Sequence, residues 1–350
     1  MKSMTKLFYT FIILSHFMMI QHVYAQSPRN LGTYLPSYRM KQLFPQDISG
    51  RTAWYKMHPY GSENGTNDTE VLPIDYSFSR GELILKHFDE VYFFSLRIPE
   101  KGEPLLSLEN RDHLTYLQRL VNSKGPAMNL CISGSSSDFI PLLRDDLKRS
   151  EFLEGLEEIM DSFGLSGLDL DWEFPGNDQE KEFYSSLLGD LRSLCDSKGK
   201  KLTIAASRFH PLPAEAYSLP DKIHLMTYDF FGRHSTAEST REALEYMMAR
   251  YEIPPEKLIM GIPFYGRIFD GYSPDYWKKA QSYREIIRQN PVLPHEDEAE
   301  GYYFNGPETV QKKTEIAEEL SLGGFFVWEI GQDSLGKQSL TRILWESQNS

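Results

Sequence analysis

The chain has 350 residues, of which 40% are hydrophobic, 25% charged and 13% aromatic, and its formal net charge is −13. These fractions belong to a globular protein and exclude collagen, coiled coils, long disordered tails and polytopic membrane proteins. The acidic balance argues against a nucleic-acid binder, which would carry a basic face, and favours a neutral or cationic partner. Cys131 and Cys195 are the only cysteines, too few for a disulfide framework, and we expect both thiols to be unpaired.

The first 25 residues have the pattern of a secretory signal peptide. Lys2 and Lys6 give a basic start, residues 7–20 are almost wholly apolar, and Val23 and Ala25 occupy the positions that a signal peptidase reads. The apolar run is too short to anchor the chain in a bilayer. We therefore expect a mature protein that begins near Gln26, is secreted or periplasmic, and does not insert into a membrane.

Short apolar runs alternate with helical patterns along the rest of the chain. The runs are rich in β-branched, aromatic and leucine residues, which is typical of strands buried on both faces. They are Leu31–Tyr38, Glu90–Ile98, Ala127–Ser133, Leu165–Glu173, Lys201–Ser207, Lys222–Asp229, Lys257–Tyr265 and Gly323–Ile330. This alternation predicts an α/β fold, a (β/α)8 TIM barrel that forms one domain over residues 26–350. An open doubly wound sheet is the alternative, although no Gly-rich phosphate turn follows the first run.

Two connections between predicted strands are long and rich in aromatic residues. The first, residues 39–87, carries Trp54, Tyr55, His58 and Tyr60. The second, residues 268–305, carries Tyr272, Tyr276, Trp277 and Tyr302. In a barrel, the loops that follow the strands rise over the C-terminal face, where ligands bind. These loops therefore either form the walls of a groove or pack into small cores of their own.

Three acidic residues alternate with apolar ones in the fourth predicted strand. Asp169, Asp171 and Glu173 take every second position, so they share one face of the strand. Carboxyl groups that point together into a low-dielectric barrel resist ionising together. A carboxyl whose pKa is raised in this way holds a proton near neutral pH and can donate it to a leaving group. The alternatives for this carboxylate ladder are a solvated edge strand and a site for a hard cation.

The segment Ser166–Glu173 resembles the Asp-x-x-Asp-x-Asp-x-Glu signature of family 18 glycoside hydrolases, the chitinase family. Three more segments are similar to motifs of that family in the same order: Met226–Asp229, Gly261–Arg267 and Gly324–Glu329. The chain departs from the family pattern twice. Ser166 stands in place of the first aspartate, and Cys131-Ile-Ser-Gly134 stands in place of Ser-x-Gly-Gly. We expect these departures to alter the rate and the pH optimum rather than the class of reaction.

The resemblance implies a retaining, substrate-assisted hydrolysis of β-1,4 linkages after N-acetylglucosamine in chitin or chitooligosaccharides. Glu173 is then the acid/base, and the 2-acetamido carbonyl of the sugar attacks its own anomeric carbon to form an oxazolinium ion. Asp171 accepts the acetamido N–H, Asp169 shares a proton with Asp171, and Tyr228 donates to the acetamido oxygen. The resemblance implies neither a cofactor nor a metal, and we expect a monomer.

Six further residues are expected to bind the sugar. They are Trp328, Asp229, Arg267, Tyr34, Tyr265 and Trp172. Trp328 is expected under the reacting sugar, because an aromatic ring packs well against the C–H face of a pyranose; its alternative place is the barrel core. Asp229 and Arg267 are expected to bond hydroxyls or the ladder, and Arg267 could equally balance charge. His210, just after the fifth predicted strand, is expected to be a loop residue rather than an acid–base group.

Two other functions fit the same residues. An endo-β-N-acetylglucosaminidase that acts on N-glycans or peptidoglycan keeps the chemistry and changes the substrate. A non-catalytic lectin that binds chitooligosaccharides usually lacks the proton donor, whereas Glu173 is present here. The connection between the seventh and eighth predicted strands is shorter than in relatives with a full α+β insertion domain. We therefore expect a shallow cleft and endo-type or short-oligomer action.

Overall fold

The computed structural model describes residues 30–44, 80–99, 104–121, 125–269 and 279–349. Several features predicted from the sequence lie outside the described residues. They are the signal peptide over residues 1–25, and the aromatic loop residues Trp54, Tyr55, His58, Tyr60, Tyr272, Tyr276 and Trp277. Both cysteines are described, and both are buried and unpaired.

Eight parallel strands close into a barrel, in which β1 pairs with β2 on one side and with β12 on the other. The strands of the described chain are β1 (Asn30–Pro36), β2 (Glu90–Leu96), β3 (Ala127–Gly134), β4 (Gly167–Trp172), β5 (Lys201–Ala206), β6 (Lys222–Leu225), β7 (Leu258–Pro263), β8 (Tyr265–Ile268), β9 (Ala280–Ser282), β10 (Glu298–Ala299), β11 (Tyr302–Tyr303) and β12 (Gly324–Trp328). The barrel consists of β1 to β7 and β12, one strand for each predicted run. The predicted (β/α)8 fold is confirmed.

Helices surround this barrel. They are α1 (Met40–Leu43), α2 (Arg80–Leu85), α3 (Leu108–Val121), α4 (Ser136–Leu143), α5 (Asp146–Phe163), α6 (Asp178–Lys198), α7 (Ala237–Tyr251), α8 (Tyr283–Gln289), α9 (Pro307–Glu319) and α10 (Leu340–Asn349). None of the described helices has both the length and the apolar character needed to cross a membrane.

The turn that leads into the ladder strand is fixed by local chemistry. Helix α5 begins where the Asp145 side chain accepts a hydrogen bond from the backbone N–H of Lys148. It ends at Gly164, whose φ of 62° lies in the left-handed region that glycine adopts without strain. The chain then enters β4 with its alternation of apolar and acidic residues in register with β3.

The two faces of the barrel strands are buried in different clusters. The outward face packs Leu168, Leu170 and Trp172 against the helices within the large core. The inward face carries a small, mostly aromatic cluster that includes Tyr34, Tyr92, Cys131, Tyr228 and Phe326. Because side chains alternate along a strand, the acids of β4 point into this second environment.

The connection between β7 and β12 contains a small sheet as well as helices α8 and α9. Strands β8 to β11 form an antiparallel sheet in the order β10, β11, β8, β9, and α8 follows β9. Tyr265 and Arg267 lie in β8 of this sheet, whereas the sequence pattern had assigned Tyr265 to the seventh barrel strand. The barrel strand itself ends at Pro263.

Candidate active site

A cleft of about 670 Å³ opens at the C-terminal end of the barrel. Residues at or just after the ends of the barrel strands line most of it, and the small sheet contributes from one side. The lining includes Tyr34, Asp171, Glu173, Tyr228, Asp229, Tyr265, Arg267 and Trp328, so eight of the ten predicted site residues meet in one place.

The carboxylate ladder rises from the barrel interior to this cleft. Asp169 is fully buried, Asp171 is 6% exposed, and Glu173 is open to the cleft. Glu173 lies one residue beyond β4, and its backbone N–H donates to the carbonyl of Gly134 at 3.0 Å. This bond continues the pairing with β3 and keeps the third carboxyl on the same face as the other two.

Asp169 accepts hydrogen bonds from two buried hydroxyl groups. Tyr34 donates to its Oδ2 at 2.8 Å, and Thr203 donates to its Oδ1 at 2.5 Å. His224 Nδ1 lies 3.5 Å from the same Oδ1. Hydroxyl donors of this kind suit a carboxylate, which only accepts.

The carboxyl groups of Asp171 and Glu173 are neighbours, and each acts on the pKa of the other. Burial, and then the negative charges of Glu173 and Asp169, raise the pKa of Asp171 well above its usual range. Desolvation by the surrounding protein also raises the pKa of Glu173; the neighbouring Asp171 opposes this and the charge of Asp229 adds to it. Two facing carboxyls need one proton between them, so the pair holds a proton beside the cleft.

Tyr228 is 9% exposed and lines the cleft. Burial, followed by the negative charges of Glu173 and Asp229, raises the pKa of its hydroxyl well above the usual value. The hydroxyl therefore stays protonated and available as a hydrogen-bond donor.

Asp229 and Arg267 bind each other at the cleft wall. The guanidinium contacts both carboxylate oxygens, through Nε to Oδ1 and through Nη2 to Oδ2 at 2.8 Å. Tyr265 donates its hydroxyl to Oδ1 at 2.7 Å. Burial alone would raise the pKa of Asp229, but hydrogen bonds from His234 and Arg267 and the Arg267 charge hold it well below its usual range. Asp229 is thus a fixed negative charge near Glu173.

Aromatic rings form the opposite side of the cleft. The Trp328 ring lies edge-on to Phe94, with 4.7 Å between centroids, and 5.6 Å from the ring of Tyr34. Trp328 is partly buried and lines the cleft. The next residue, Glu329, is fully buried and bonds Arg39 at 2.8 Å, which ties the end of β12 to the loop after β1.

Trp172 does not lie in the cleft, contrary to the prediction. It is 2% exposed on the outward face of β4, stacked on Phe139 at 4.6 Å, and its Nε1 donates to Ser136 Oγ. Trp172 was predicted to lie in the site because Asp171 and Glu173 flank it in the sequence. Side chains alternate along β4, however, so Trp172 points to the opposite side.

Several cleft residues were not assigned to the site from the sequence. They are Phe174, Ala205, Ser207, Phe209, His210, Met226, Phe231, Ala280, Phe326 and Gln332. The rings of Phe174 and His210 stack at 4.1 Å and 5°, and Phe209 and Phe231 are 57% and 73% exposed. Large apolar residues just after strand ends were the available signal, since the C-terminal face of a barrel carries the site.

Within the described part of the chain, no group of three or more His, Cys, Asp or Glu side chains is arranged to hold a metal ion. A closed parallel barrel, with neighbouring carboxyls at its mouth and an aromatic cleft above them, is the arrangement of the barrel glycosyl hydrolases. The family described as "Glycosyl hydrolases family 18" matches residues 53–333, and the chain belongs to this family.

Curated relatives carry chitinase names. The chain is 27% identical over 280 residues to "Probable chitinase 10" of Drosophila melanogaster, covering 61% of this chain and 12% of that protein. It is 31% identical over 168 residues to "Probable chitinase 2" of the same organism, covering 41% of this chain and 35% of that protein. The chain thus spans well under two thirds of the length of these two relatives.

A solved structure of a plant class V chitinase mutant from Cycas revoluta, in complex with (GlcNAc)3, has the same fold. The TM-score is 0.67 at 18% identity, and the match covers 91% of this chain and 99% of that chain. At this identity, the likeness shows the fold alone.

Proposed function

We propose that this protein is a glycoside hydrolase that cleaves β-1,4 linkages after N-acetylglucosamine in chitin or chitooligosaccharides. The observation that carries the proposal is that Asp171, Glu173 and Tyr228 line the same cleft, and that the pKa values of the two neighbouring carboxyls are raised there. Membership of family 18, the chitinase names of the relatives and the (GlcNAc)3 complex of the Cycas enzyme support this choice of substrate.

Glu173 is the acid/base in the proposed mechanism. Its carboxyl faces the cleft, and its raised pKa favours the protonated form that donates to the glycosidic oxygen. Once the leaving sugar has departed, the carboxylate takes a proton from the incoming water. The 2-acetamido carbonyl of the substrate acts as the nucleophile and forms an oxazolinium ion, so the anomeric configuration is retained.

The remaining polar groups stabilise the charge that develops on the sugar. Asp171 accepts the acetamido N–H, and Tyr228 donates to the acetamido oxygen, which keeps that oxygen in line with the anomeric carbon. Asp169 lies below them in the barrel and is held by hydrogen bonds from Tyr34 and Thr203. Donors and charges set in place before the reaction lower the barrier because they need no reorganisation in the transition state.

The walls of the cleft position the substrate. Trp328 offers an aromatic face for the reacting sugar, and the Asp229–Arg267 pair offers groups that bind hydroxyls. Endo-type action of a monomer outside the cytoplasm, after removal of residues 1–25 as a signal peptide, completes the proposal.

Substitution Glu173→Gln tests this function, with Glu182→Gln on the exposed face of α6 as the matched control. Loss of the proton donor is expected to lower kcat by about 10²–10⁴-fold. The measurement is product release from chitooligosaccharides, an N-glycopeptide and peptidoglycan, read by mass. Hydrolysis of only the glycopeptide or peptidoglycan would replace the substrate class. Binding without cleavage by the wild type would identify a lectin, and full activity of Glu173→Gln would remove the proposed mechanism.

A further inference from the structure

A buried histidine lies beneath the carboxylate ladder, and the mechanism above does not use it. His224 of β6 is 1% exposed. Its Nδ1 lies 3.0 Å from the hydroxyl oxygen of Tyr34 and 3.5 Å from Oδ1 of Asp169. Its ring stacks on Phe326 at 4.8 Å and 26°, and meets Tyr92 edge-on at 4.8 Å. These contacts fix both the position and the plane of the imidazole.

The Tyr34 hydroxyl has one proton and two neighbours that can accept it. Asp169 Oδ2 lies at 2.8 Å and His224 Nδ1 at 3.0 Å. If Nδ1 carries a proton, it donates to the Tyr34 oxygen, and the Tyr34 proton must point to Asp169. If Nδ1 carries a lone pair instead, it can accept the hydrogen bond from the Tyr34 hydroxyl, and Asp169 then loses that donor.

The position of Asp169 favours the first arrangement. A lone pair on Nδ1 would face a carboxylate oxygen 3.5 Å away, which is unfavourable in a buried site, whereas an N–H there is attracted to it. The Nδ1–H tautomer therefore satisfies the imidazole, Tyr34 and Asp169 together. Which ring nitrogen carries the proton is set by such neighbours.

We propose that His224 is a positioning residue that holds its proton on Nδ1 and directs the Tyr34 hydroxyl to Asp169, so that this hydrogen bond is kept at the base of the carboxylate ladder. A hydrogen bond donated at the base of the ladder offsets the ladder's negative charge, so its loss is expected to change how readily the ladder takes up a proton. The consequence for catalysis rests on the proposed function, whereas the position of the proton on the imidazole does not.

Groups from every element packed against His224 act on its charge. The charges are those of Asp169 of β4, Glu90 of β2 and Lys222 of β6 itself. The other neighbours are uncharged: Tyr34 of β1, Tyr92 of β2, Phe326 of β12, and Ala205 and Ile259 of the flanking strands β5 and β7. Burial lowers the pKa of His224, although the carboxylates of Asp169 and Glu90 oppose this. The imidazole is therefore neutral near pH 7, and its tautomer is the property that matters.

The first experiment reads the tautomer without substrate. Ring ¹⁵N NMR distinguishes a protonated from an unprotonated nitrogen in each histidine, and the spectrum of His224→Asn identifies the resonances of residue 224. A neutral ring with the proton on Nδ1 is expected at pH 7. A proton on Nε2 alone would overturn the proposal, even if the protein hydrolyses chitooligosaccharides as proposed.

The second experiment compares His224→Leu, which has no donor, with His224→Asn, whose side-chain amide can donate near the position of Nδ1. For His224→Leu, the acidic limb of the kcat/KM profile is expected to move to higher pH, with a loss of about fivefold at the acidic end, the worth of one hydrogen bond. His224→Asn is expected to restore the wild-type profile. Leucine and asparagine variants with the same profile, or an unshifted limb in the leucine variant, would overturn the positioning role.

A matched control separates this role from general loss of stability. His113 of α3 is also a buried histidine, 2% exposed, and it packs against Phe93 away from the ladder. His113→Leu and His113→Asn are expected to lower the melting temperature and to leave the pH profile unchanged. If the wild type cleaves none of the substrates, the proposed function fails, and the NMR result still decides the position of the proton.

Discussion

The barrel interior holds buried carboxyl groups at both ends, and their surroundings are opposite. At the bottom, Glu90 is 4% exposed and lies 3.2 Å from Lys222 Nζ and 3.4 Å from Lys201 Nζ, and it accepts the Tyr92 hydroxyl at 2.7 Å. Burial alone would raise the pKa of Glu90, but the two lysines and Tyr92 lower it to about 2. At the mouth, the strongest charges acting on Asp171 are the carboxylates of Glu173 and Asp169.

This difference separates the two ways in which a buried acid is used. An acid with cations and donors around it stays ionised and holds neighbouring strands together, because its charge is compensated. An acid placed against other acids has a raised pKa and holds a proton, which costs stability and is useful only for chemistry. Glu90 therefore belongs to the scaffold, whereas the pair Asp171–Glu173 is the one to which the proposed function assigns the reaction.

Substitution Glu90→Gln is expected to have the largest effect on stability. It leaves the Lys222 ammonium without its counter-charge in the barrel, and breaking such a buried pair costs about 3–5 kcal/mol in the free energy of unfolding. Urea unfolding measures this loss. The same change at Glu109, whose ion pair with Lys41 is exposed, is the matched control and is expected to alter stability little. Equal losses of unfolding free energy at both positions would refute the claim that the buried ion pair contributes more to stability than the exposed one.

Substitution Asp171→Asn is expected to affect the rate and to spare stability. Removing the carboxyl that stabilises the developing charge should lower kcat by about a hundredfold or more. The folded protein loses a carboxyl that repels Asp169 and Glu173, so the free energy of unfolding at pH 7 should not fall. Steady-state kinetics and urea unfolding of the same preparation measure both. A variant that is active but unstable would place Asp171 with the scaffold.

The sequence predicted the barrel and the ladder because both depend on local patterns. The alternation of Asp169, Asp171 and Glu173 fixes one face of a strand without reference to the rest of the chain. Trp172 shows the limit of reading by motif: it stands between two site residues, yet the same alternation turns it towards Phe139 on the outside.

Contacts between distant segments could not be predicted from the sequence. Tyr34 and His224 lie 190 residues apart, and Lys222 and Glu90 lie 132 apart, so no local pattern joins them. Strands β10 and β11 have two residues each and are defined only by pairing with each other and with β8. A strand this short carries no periodicity to detect.

The contributions of Glu90 and Asp171 to stability should change with pH in opposite directions. Glu90 has a lowered pKa, so its contribution is complete above about pH 4.5, the ordinary glutamate value, and is lost as the pH falls towards its folded value of about 2. Asp171 has a raised pKa, so the unfolded chain ionises first, and its presence lowers stability as the pH rises above about 4, the ordinary aspartate value.

The difference in unfolding free energy between Glu90→Gln and the wild type should therefore shrink on acidification below about pH 4.5, the unfolded value. For Asp171→Asn, the variant should gain on the wild type as the pH rises from about 4 to 7, because it lacks the carboxyl that the unfolded state prefers to ionise. Urea unfolding across pH 2.5 to 8 measures both differences. Glu109→Gln, which removes an exposed ion pair, is the reference, and its unfolding free energy relative to the wild type is expected to vary little with pH. Differences that do not vary with pH at either position would show that the two ends of the barrel do not differ in how they hold protons.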